Sequence, residues 1–421
     1  MTRSEHPKIL LPRDSAAAVE IVRVLRDAGH AALLAGGCVR DLLLGLAPKD
    51  YDVATDAPPE RIRALFPKTR LVGAQFGVVL VHKRRRWIEV ATFRTDGAYL
   101  DGRRPSSVEF TNAEHDAQRR DFTINGMFLD PLSMDVLDYV GGRADLLARQ
   151  VRAIGEPEQR FAEDYLRLIR AVRFAARLGF EIEARTFTAV QRHAAMLANV
   201  VAERVRDELE RMLSHPSRAS AFAWLRKGGL LPHLWRDACW GPAQTSAAQR
   251  RLGLLPAEAP FVLALAALLA DRGDAEVQVI CRSLACSNEQ REAVAWLIAH
   301  QSDLDEPRLP SLAELKRLMA HAAFGLLRAF VESRYRALPD GEARRQALDE
   351  RIASIAPEAV APAPWVGGED LLARGLEPGP LFRELLHELY TRQLDERLTS
   401  RERALAALDE LIRQRSIGSR E

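Results

Sequence analysis

Cysteine is scarce in this chain, and the little there is sits in no recognisable pattern. Cys38, Cys239, Cys281 and Cys286 show no CxxC spacing and no histidine cluster beside them. That argues against a zinc site and against a disulfide framework, and small buried side chains are the expectation. An excess of charge of one sign is also missing: 60 Lys and Arg against 58 Asp and Glu leave a net charge of +2. A uniformly basic nucleic-acid binder is excluded, so any basic surface has to be local. The most apolar stretch, residues 261–269, falls short of the ~18–20 residues that cross a bilayer. The opening residues MTRSEHPKILLPRDS carry no apolar run behind their charges. Neither a membrane span nor a signal peptide is expected, and a cytoplasmic protein is. Internal repeats and low-complexity tracts are absent as well.

What remains is a chain of 421 residues, 47% hydrophobic and 28% charged, enough for two to four domains. The first third mixes strands and helices. Asp14 or Ser15 can cap a helix carrying Val19, Val22 and Leu25. Residues 31–35 read as a buried strand, Gly36-Gly37 as a turn into a helix through Leu44, and residues 50–55 as a second strand. Pro58-Pro59 opens a further helix. Residues 77–81 and 87–93 form a hairpin around a basic turn. Beyond about residue 158 the periodicity is helical almost throughout, and the Pro/Ala segment 355–364 reads as a linker before a final helical segment. The fold class is α+β, an α/β head followed by a long helical body.

The chemistry concentrates in LLAGGCVRDLLLGLAPKDYDVAT, residues 33–55. Asp50 and Asp52 lie two apart in an extended segment, so both side chains face one way. Two such carboxylates can hold Mg²⁺ ions that activate an attacking 3′-hydroxyl and neutralise a leaving pyrophosphate. Gly36 and Gly37, between a strand and a helix start, can offer bare N–H groups to phosphates, with Arg40 and Lys49 adding positive charge. Read alone, the glycine pair is equally an ordinary tight turn. Glu89, in the apolar strand WIEVATF, is either a third carboxylate of the site or an outward-facing residue on an alternating strand.

These residues, together with four segments downstream, resemble the class II tRNA nucleotidyltransferase and bacterial poly(A) polymerase family. GGCVRDLLLG with DYD is similar to its catalytic motif, and RRDFTING (119–126) to its second. DYVGGRADL (138–146), RFAEDYLRLIRAVRFAARLGF (160–180) and ERVRDELERML (203–213) are similar to three more, in the same order. The resemblance implies a polymerase-β-like nucleotidyltransferase head, residues 1–148, then an all-α neck (149–213), body (214–354) and tail (365–421). It implies that Arg119, Arg120, Asp121 and Asn125 position the ribose and triphosphate of an incoming nucleotide, as paired arginines suit phosphate oxygens and carboxylate or amide groups suit sugar hydroxyls. Glu163, Asp164 and Arg167, expected on one helix with Asp164 and Arg167 three apart, would read the base, Glu163 bracing Arg167. An Asp acceptor beside an Arg donor fits both cytosine and adenine, each with an amino donor next to a ring-nitrogen acceptor. Guanine and uracil present the opposite pattern, and each mismatch leaves polar groups unpaired at ~1–3 kcal/mol. Arg170, Arg173 and Arg177 either continue a basic face toward RNA or are simply solvated, and Arg170 and Arg173 are counted with the nucleotide-binding residues.

Residues 92–110, with Asp101 and Arg103 or Arg104 as polar contacts, resemble the family's flexible loop. Some relatives carry an HD phosphohydrolase domain. Here Ala270-Asp271 stands where a His-Asp pair is sought, and the doublet His115-Asp116 reads as the approach to RRDFTING. The tail segment GGEDLLARGLEPGP resembles the tRNA-holding branch. The resemblance therefore implies a CCA-adding tRNA nucleotidyltransferase using CTP, ATP and Mg²⁺, with tRNA as partner and no stable protein partner or membrane. A poly(A) polymerase is the alternative, and a catalytically idle RNA-binding relative the third.

Overall fold

The computed structural model describes residues 9–72, 77–97, 107–235, 240–305 and 309–418. The central part of the loop expected at 92–110, with Asp101, Arg103 and Arg104, lies outside the described residues, as does Cys239. The chain forms two compact units: residues up to 240 together with 283–285, and residues 241–282 together with 286–421. No helix among the described residues is long and apolar enough to cross a membrane.

The first unit opens with helix α1 (Ala16–Asp27), whose stripe of Ala17, Ala18, Ile21, Val22 and Leu25 is buried. Ser15 stands at its N-cap, but its hydroxyl donates back to the Pro12 carbonyl (2.8 Å) and caps nothing. Strand β1 (Ala32–Ala35) is buried at every position, and Gly36 turns the chain into α2 (Gly37–Leu43). Then come β2 (Asp52–Thr55), α3 (Pro59–Leu65), β3 (Thr69–Leu71), β4 (Val78–Lys83) and β5 (Arg86–Thr92). A ribbon of β6 (Arg94–Asp96) and β7 (Val108–Phe110) precedes α4 (Ala113–Gln118), β8 (Phe128–Leu129) and β9 (Val136–Leu137).

Among the described residues seven strands make one sheet in the order β3-β4-β5-β2-β1-β8-β9. All neighbours are antiparallel except β2 and β5, which run parallel. The basic hairpin turn is tighter than the sequence suggests. Lys83 pairs with Arg86, which leaves Arg84 and Arg85 as a two-residue turn with φ of 46° and 65°, the handedness that matches strand twist. Val53, Val79, Val81, Ile88 and Val90 are buried on one face of the sheet, against α1 and α3. The other face is left open where β2 and β5 begin.

After α5 (Gly142–Leu147) and β10 (Gln150–Val151) the sequence periodicity predicts one helix through Glu163, Asp164 and Arg167. The structure corrects this. Helix α6 (Pro157–Glu163) ends, Asp164 is extended (φ −154°, ψ 102°), and α7 (Leu166–Leu178) starts afresh. The Asp164 carboxylate accepts from the Leu166 N–H (3.1 Å), closing a local turn that competes with helix continuation. Strand β11 (Glu181–Ile182), α8 (Ala184–His193), α9 (Ala202–Leu213), α10 (Arg218–Lys227) and the short α11 (Leu231–Leu234) complete this unit.

The second unit is helical among its described residues, from α12 (Pro242–Leu254) and the apolar α13 (Phe261–Leu269) to α14 (Asp274–Ser283) and α15 (Asn288–His300). Asp271 pairs with Arg251 at 2.9 Å, and Cys281 and Cys286 are buried and not joined in a disulfide. Helices α16 (Leu312–Ala320), α17 (Phe324–Tyr335) and α18 (Gly341–Ala353) come next. The Pro/Ala segment is not a loose linker. It contains a helical turn, α19 (Pro357–Val360), and its carbonyls at Pro362 and Ala363 accept from Tyr390 Oη (3.1 Å) and Gln393 Nε2 (2.9 Å). Helices α20 (Gly368–Leu372), α21 (Pro380–Leu394) and α22 (Arg401–Gly418) enclose a small core around Leu371, Leu385, Leu389 and Leu408.

Candidate active site

A cavity of about 640 Å³ lies in the first unit. Ten cationic side chains and five aspartates line it, so a chain of almost zero net charge concentrates its basic surface here. Of the residues singled out from sequence, Gly36, Gly37, Arg40, Lys49, Asp50, Asp52, Arg119, Arg120, Asp121, Asn125, Asp164, Arg167, Arg170 and Arg173 all line it. Glu163 and Glu89 do not, and each is reached through a neighbour.

The two carboxylates stand where β2 leaves its partner. Ala35 pairs with Asp52, and Gly36 then turns away, so Asp50 lies two residues beyond the sheet. Asp50 and Asp52 are exposed and Tyr51 between them is buried, which preserves the alternation expected of an extended segment. Asp52 is accessible from the cavity, but protein crowds it on most sides. Burial, the charge of Glu89 and that of Asp50 push its carboxyl up to about 6, with Arg120 pulling the other way. Among the described residues no three His, Cys, Asp or Glu side chains are gathered as a metal-holding group. The oxygen-only donors and their mutual repulsion nonetheless suit a hard divalent cation, which takes one or two carboxylates and completes its shell from water and substrate phosphates.

Arginines of the second motif are held from behind. Asp116 on α4 is buried and accepts from Arg119 Nε (2.9 Å) and from Arg120 Nε and Nη2 (3.1 and 3.0 Å). Burial opposes its charge, but Arg120 and Arg119 outweigh it and hold the carboxyl below its usual range. The same carboxylate accepts from the Arg94 N–H (3.3 Å) at the start of the β6–β7 ribbon. The sequence motifs give Asp116 no role at the site, yet its spacing of three and four from the arginines is the signal that could have found it.

Asp121 and Asn125 form a second layer. Asp121 accepts from Asn125 Nδ2 (3.1 Å) and from Arg170 Nε and Nη2 (2.9 and 2.6 Å). Its burial is offset by Arg170 and Asn125, which bring the carboxyl down to about 2. Asn125 Oδ1 accepts from Arg40 Nη1 (2.6 Å), and Arg40 also donates to Asp41 (2.7 and 2.8 Å). Arg40 is therefore a buried, compensated charge rather than a free cation. Arg173 donates to the buried Glu208 (2.5 Å) and lies 4.2 Å from the Phe174 ring centre.

Gly36 also departs from expectation. Its N–H donates to the Met127 carbonyl (3.2 Å) and is not left bare for a phosphate. Its backbone, at φ 73° and ψ −130°, is one that side chains resist, and a Cβ there would sit 2.9 Å from Arg120 Nη1. Gly36→Ala is expected to lower stability by about 1–3 kcal/mol and to displace Arg120. Denaturant unfolding checks the first, and a weakened nucleotide affinity the second.

In the neck, Glu163 braces Arg167 as expected. Asp164 does not pair with Arg167. Its partner is Arg204 of α9, which grips both carboxylate oxygens at 3.1 and 2.7 Å. Arg167 donates to the Arg160 carbonyl (2.8 Å) and to the Arg119 carbonyl (3.4 Å). Arg204 falls within the motif at 203–213, but no local spacing singles it out, because its partner lies 40 residues away in sequence.

The family model described as the poly A polymerase head domain matches residues 32–152. A second, described as the probable RNA and SrmB-binding site of polymerase A, matches residues 179–239. A CCA-adding enzyme of Geobacillus thermodenitrificans is 38% identical over 312 residues, 72% of this chain and 76% of that protein. The chain belongs to the CCA-adding enzyme family. Another member, from Geobacillus stearothermophilus, is 45% identical over 219 residues, 52% of this chain and 54% of its own length. The chain thus aligns with about half the length of some curated relatives. The crystal structure of the Bacillus stearothermophilus CCA-adding enzyme in complex with CTP superposes with a TM-score of 0.83 at 29% identity, covering 97% of this chain and 100% of that one. The family is one of nucleotidyltransferases with a polymerase head and a mostly helical remainder, in keeping with the motifs read from the sequence.

Proposed function

We propose that this protein completes the 3′ end of tRNA by adding CMP and AMP from CTP and ATP without a nucleic-acid template. The observation that carries the reading is the convergence, in one cavity, of the two aspartates, the clamped arginines and the neck pair Asp164 and Arg167. The head, neck, body and tail division proposed from sequence assigns chemistry to the first, base choice to the second and RNA holding to the last two. The cytoplasm is the compartment this task implies.

In this reading Arg119 and Arg120 take the triphosphate oxygens, and Asp116 keeps their guanidinium planes in place. The Asp121–Asn125–Arg40 layer fixes the floor beneath the sugar. Mg²⁺ on Asp50 and Asp52, with Glu89 beside them, would supply Lewis-acid activation of the 3′-hydroxyl and charge neutralisation at the pyrophosphate. The 3′-oxygen bonds to the α-phosphorus, the bond from that phosphorus to the bridging oxygen breaks, the hydroxyl proton passes to solvent, and pyrophosphate leaves. Asp164 accepts the base amino group through a lone pair that Arg204 leaves available, and Arg167 donates to the ring nitrogen.

Asp164→Ala or Arg167→Ala is expected to relax base choice. UTP and GTP should then compete, each gaining about ten- to a hundredfold relative to CTP and ATP, the size of one or two unpaired polar groups. Single-nucleotide incorporation assays check this, and retention of full preference in both variants would remove the pair from base reading.

A poly(A) polymerase is the second reading, favoured by the description of the two matched family models. The deciding experiment supplies tRNA ending before, within and after CCA with each nucleotide separately. One adenosine on tRNA ending in CC, and essentially none on an unstructured oligoribonucleotide, supports CCA addition. Long adenosine tails on the oligoribonucleotide support the polymerase.

A further inference from the structure

The open face of the sheet carries a second cavity that meets the first at the same carboxylates. It measures about 530 Å³, shares Lys49, Asp50 and Asp52 with the nucleotide cavity, and runs on past Glu89 and Trp87. Strand register explains its walls. Val53 pairs with Val90, so Asp52 and Glu89 stand one step earlier on parallel strands and share the opposite face. Across the antiparallel pairs, Leu80 faces Glu89, His82 faces Trp87, and Arg70 faces Leu80. One face therefore presents a track from Asp52 through Glu89 and Trp87 to His82 and Arg70.

The far end of that track is aromatic and cationic. The Arg70 guanidinium lies 4.4 Å and the Lys68 ammonium 5.8 Å from the Trp87 ring centre, with His82 edge-on at 5.0 Å. Lys49, Lys68 and Arg70 are exposed, and among the described residues none of the three is paired with a carboxylate. Most arginines of the nucleotide cavity differ here, since Arg40, Arg119, Arg120, Arg170, Arg173 and Arg204 are compensated by carboxylates. Uncompensated cations beside an aromatic ring suit a single-stranded nucleic-acid backbone and its bases. Displacement at the α-phosphorus is in line, so the attacking hydroxyl has to arrive from the side opposite the leaving pyrophosphate. With the triphosphate in the first cavity, the second is the approach left open at the shared carboxylates.

We propose that this track seats the 3′-terminal nucleotides of the acceptor RNA, with phosphates on Lys68 and Arg70, the penultimate base near Trp87, and the last ribose at Asp50 and Asp52. The assignment rests on the nucleotidyltransferase reading above and adds to it the place and the contacts of the second substrate. Lys68→Ala with Arg70→Ala removes two exposed side chains and is expected to keep the fold, which a thermal melt checks. At physiological salt the double variant is expected to raise the KM for tRNA ending in CC about five- to fiftyfold, and to flatten the dependence of log KM on log salt by about 1.5. The KM for ATP, and the rate at saturating RNA, should stay within about twofold. Trp87→Ala should raise the RNA KM about fivefold or more, and Trp87→Phe should restore most of it. An unchanged RNA KM and salt slope in the double variant, or an ATP KM that rises in step, overturns the assignment while leaving the functional reading standing. A wild-type protein that extends no RNA overturns both.

Discussion

Asp52→Asn is expected to leave the protein inert and, at neutral pH, more stable than the wild type. On the proposed metal-holding role, the loss of activity follows from removing one of two anionic oxygen donors at the reacting phosphate. Several kcal/mol of charge stabilisation disappear, which is ~10³-fold or more in rate. The gain in stability follows from the same electrostatics. Burial, with Glu89 and Asp50 nearby, lifts the Asp52 carboxyl from its ordinary 3.8 to about 6. The folded protein thus holds this proton more tightly than the unfolded chain does. Stability is lost as pH rises through that window, and the loss persists at pH 7. A shift of that size is nominally ~3 kcal/mol; because the side chain is accessible from the cavity, solvent screening reduces it to about 1 kcal/mol. Asparagine never takes the charge. Thermal melts should favour the variant at pH 7.5 and converge with the wild type near pH 4. Turnover close to wild type would dismiss the metal-holding role, and a variant less stable at pH 7.5 would dismiss the electrostatic account.

Asp116→Asn should move stability the opposite way. This carboxyl lies below its usual range because two guanidinium groups face it. Its contribution to stability is present above the unfolded-state value and is lost as pH falls through the folded-state value. Asparagine can keep an acceptor toward Arg119 and the Arg94 N–H, but it turns an amide donor toward Arg120, which has only donors to offer. A loss of about 2–3 kcal/mol is expected for leaving these charges uncompensated. With the arginine planes released, kcat/KM for the nucleotide should fall about a hundredfold while tRNA affinity is unchanged, and Asp116→Glu should recover part of it. Filter binding with tRNA and steady-state kinetics with CTP and ATP separate the two quantities. A stability loss without a kinetic one would make Asp116 a scaffold residue only.

Much of the head was legible because local rules and tertiary structure agree there. A buried strand, a glycine turn and a short helix at residues 32–43, the alternation about Tyr51, and the β4–β5 hairpin all follow from side-chain period and turn chemistry. The break at Asp164 was hidden because FAEDYLRLI contains no glycine or proline and keeps a helical apolar rhythm through Phe161, Leu168 and Ile169. The only cue was an aspartate able to close a turn on its own backbone. The partnerships of Asp164 with Arg204, and of Arg170 and Arg173 with Glu208, join residues 35 to 40 positions apart, and no spacing rule reaches that far. Proline and alanine at 355–364 suggested a free spacer, but carbonyl oxygens carry no sequence signature, and here Tyr390 and Gln393 use them.

The pre-pairing of the cavity arginines has a consequence for turnover. A polyphosphate entering such a lattice meets guanidinium groups whose orientations are already set, so few rotamers have to be frozen on binding. It also meets charges already half answered by Asp41, Asp116, Asp121, Asp164 and Glu208. Recognition is therefore sharp in geometry and moderate in grip. A site built this way lets its spent ligand go, which the proposed repeated addition to one chain end would require.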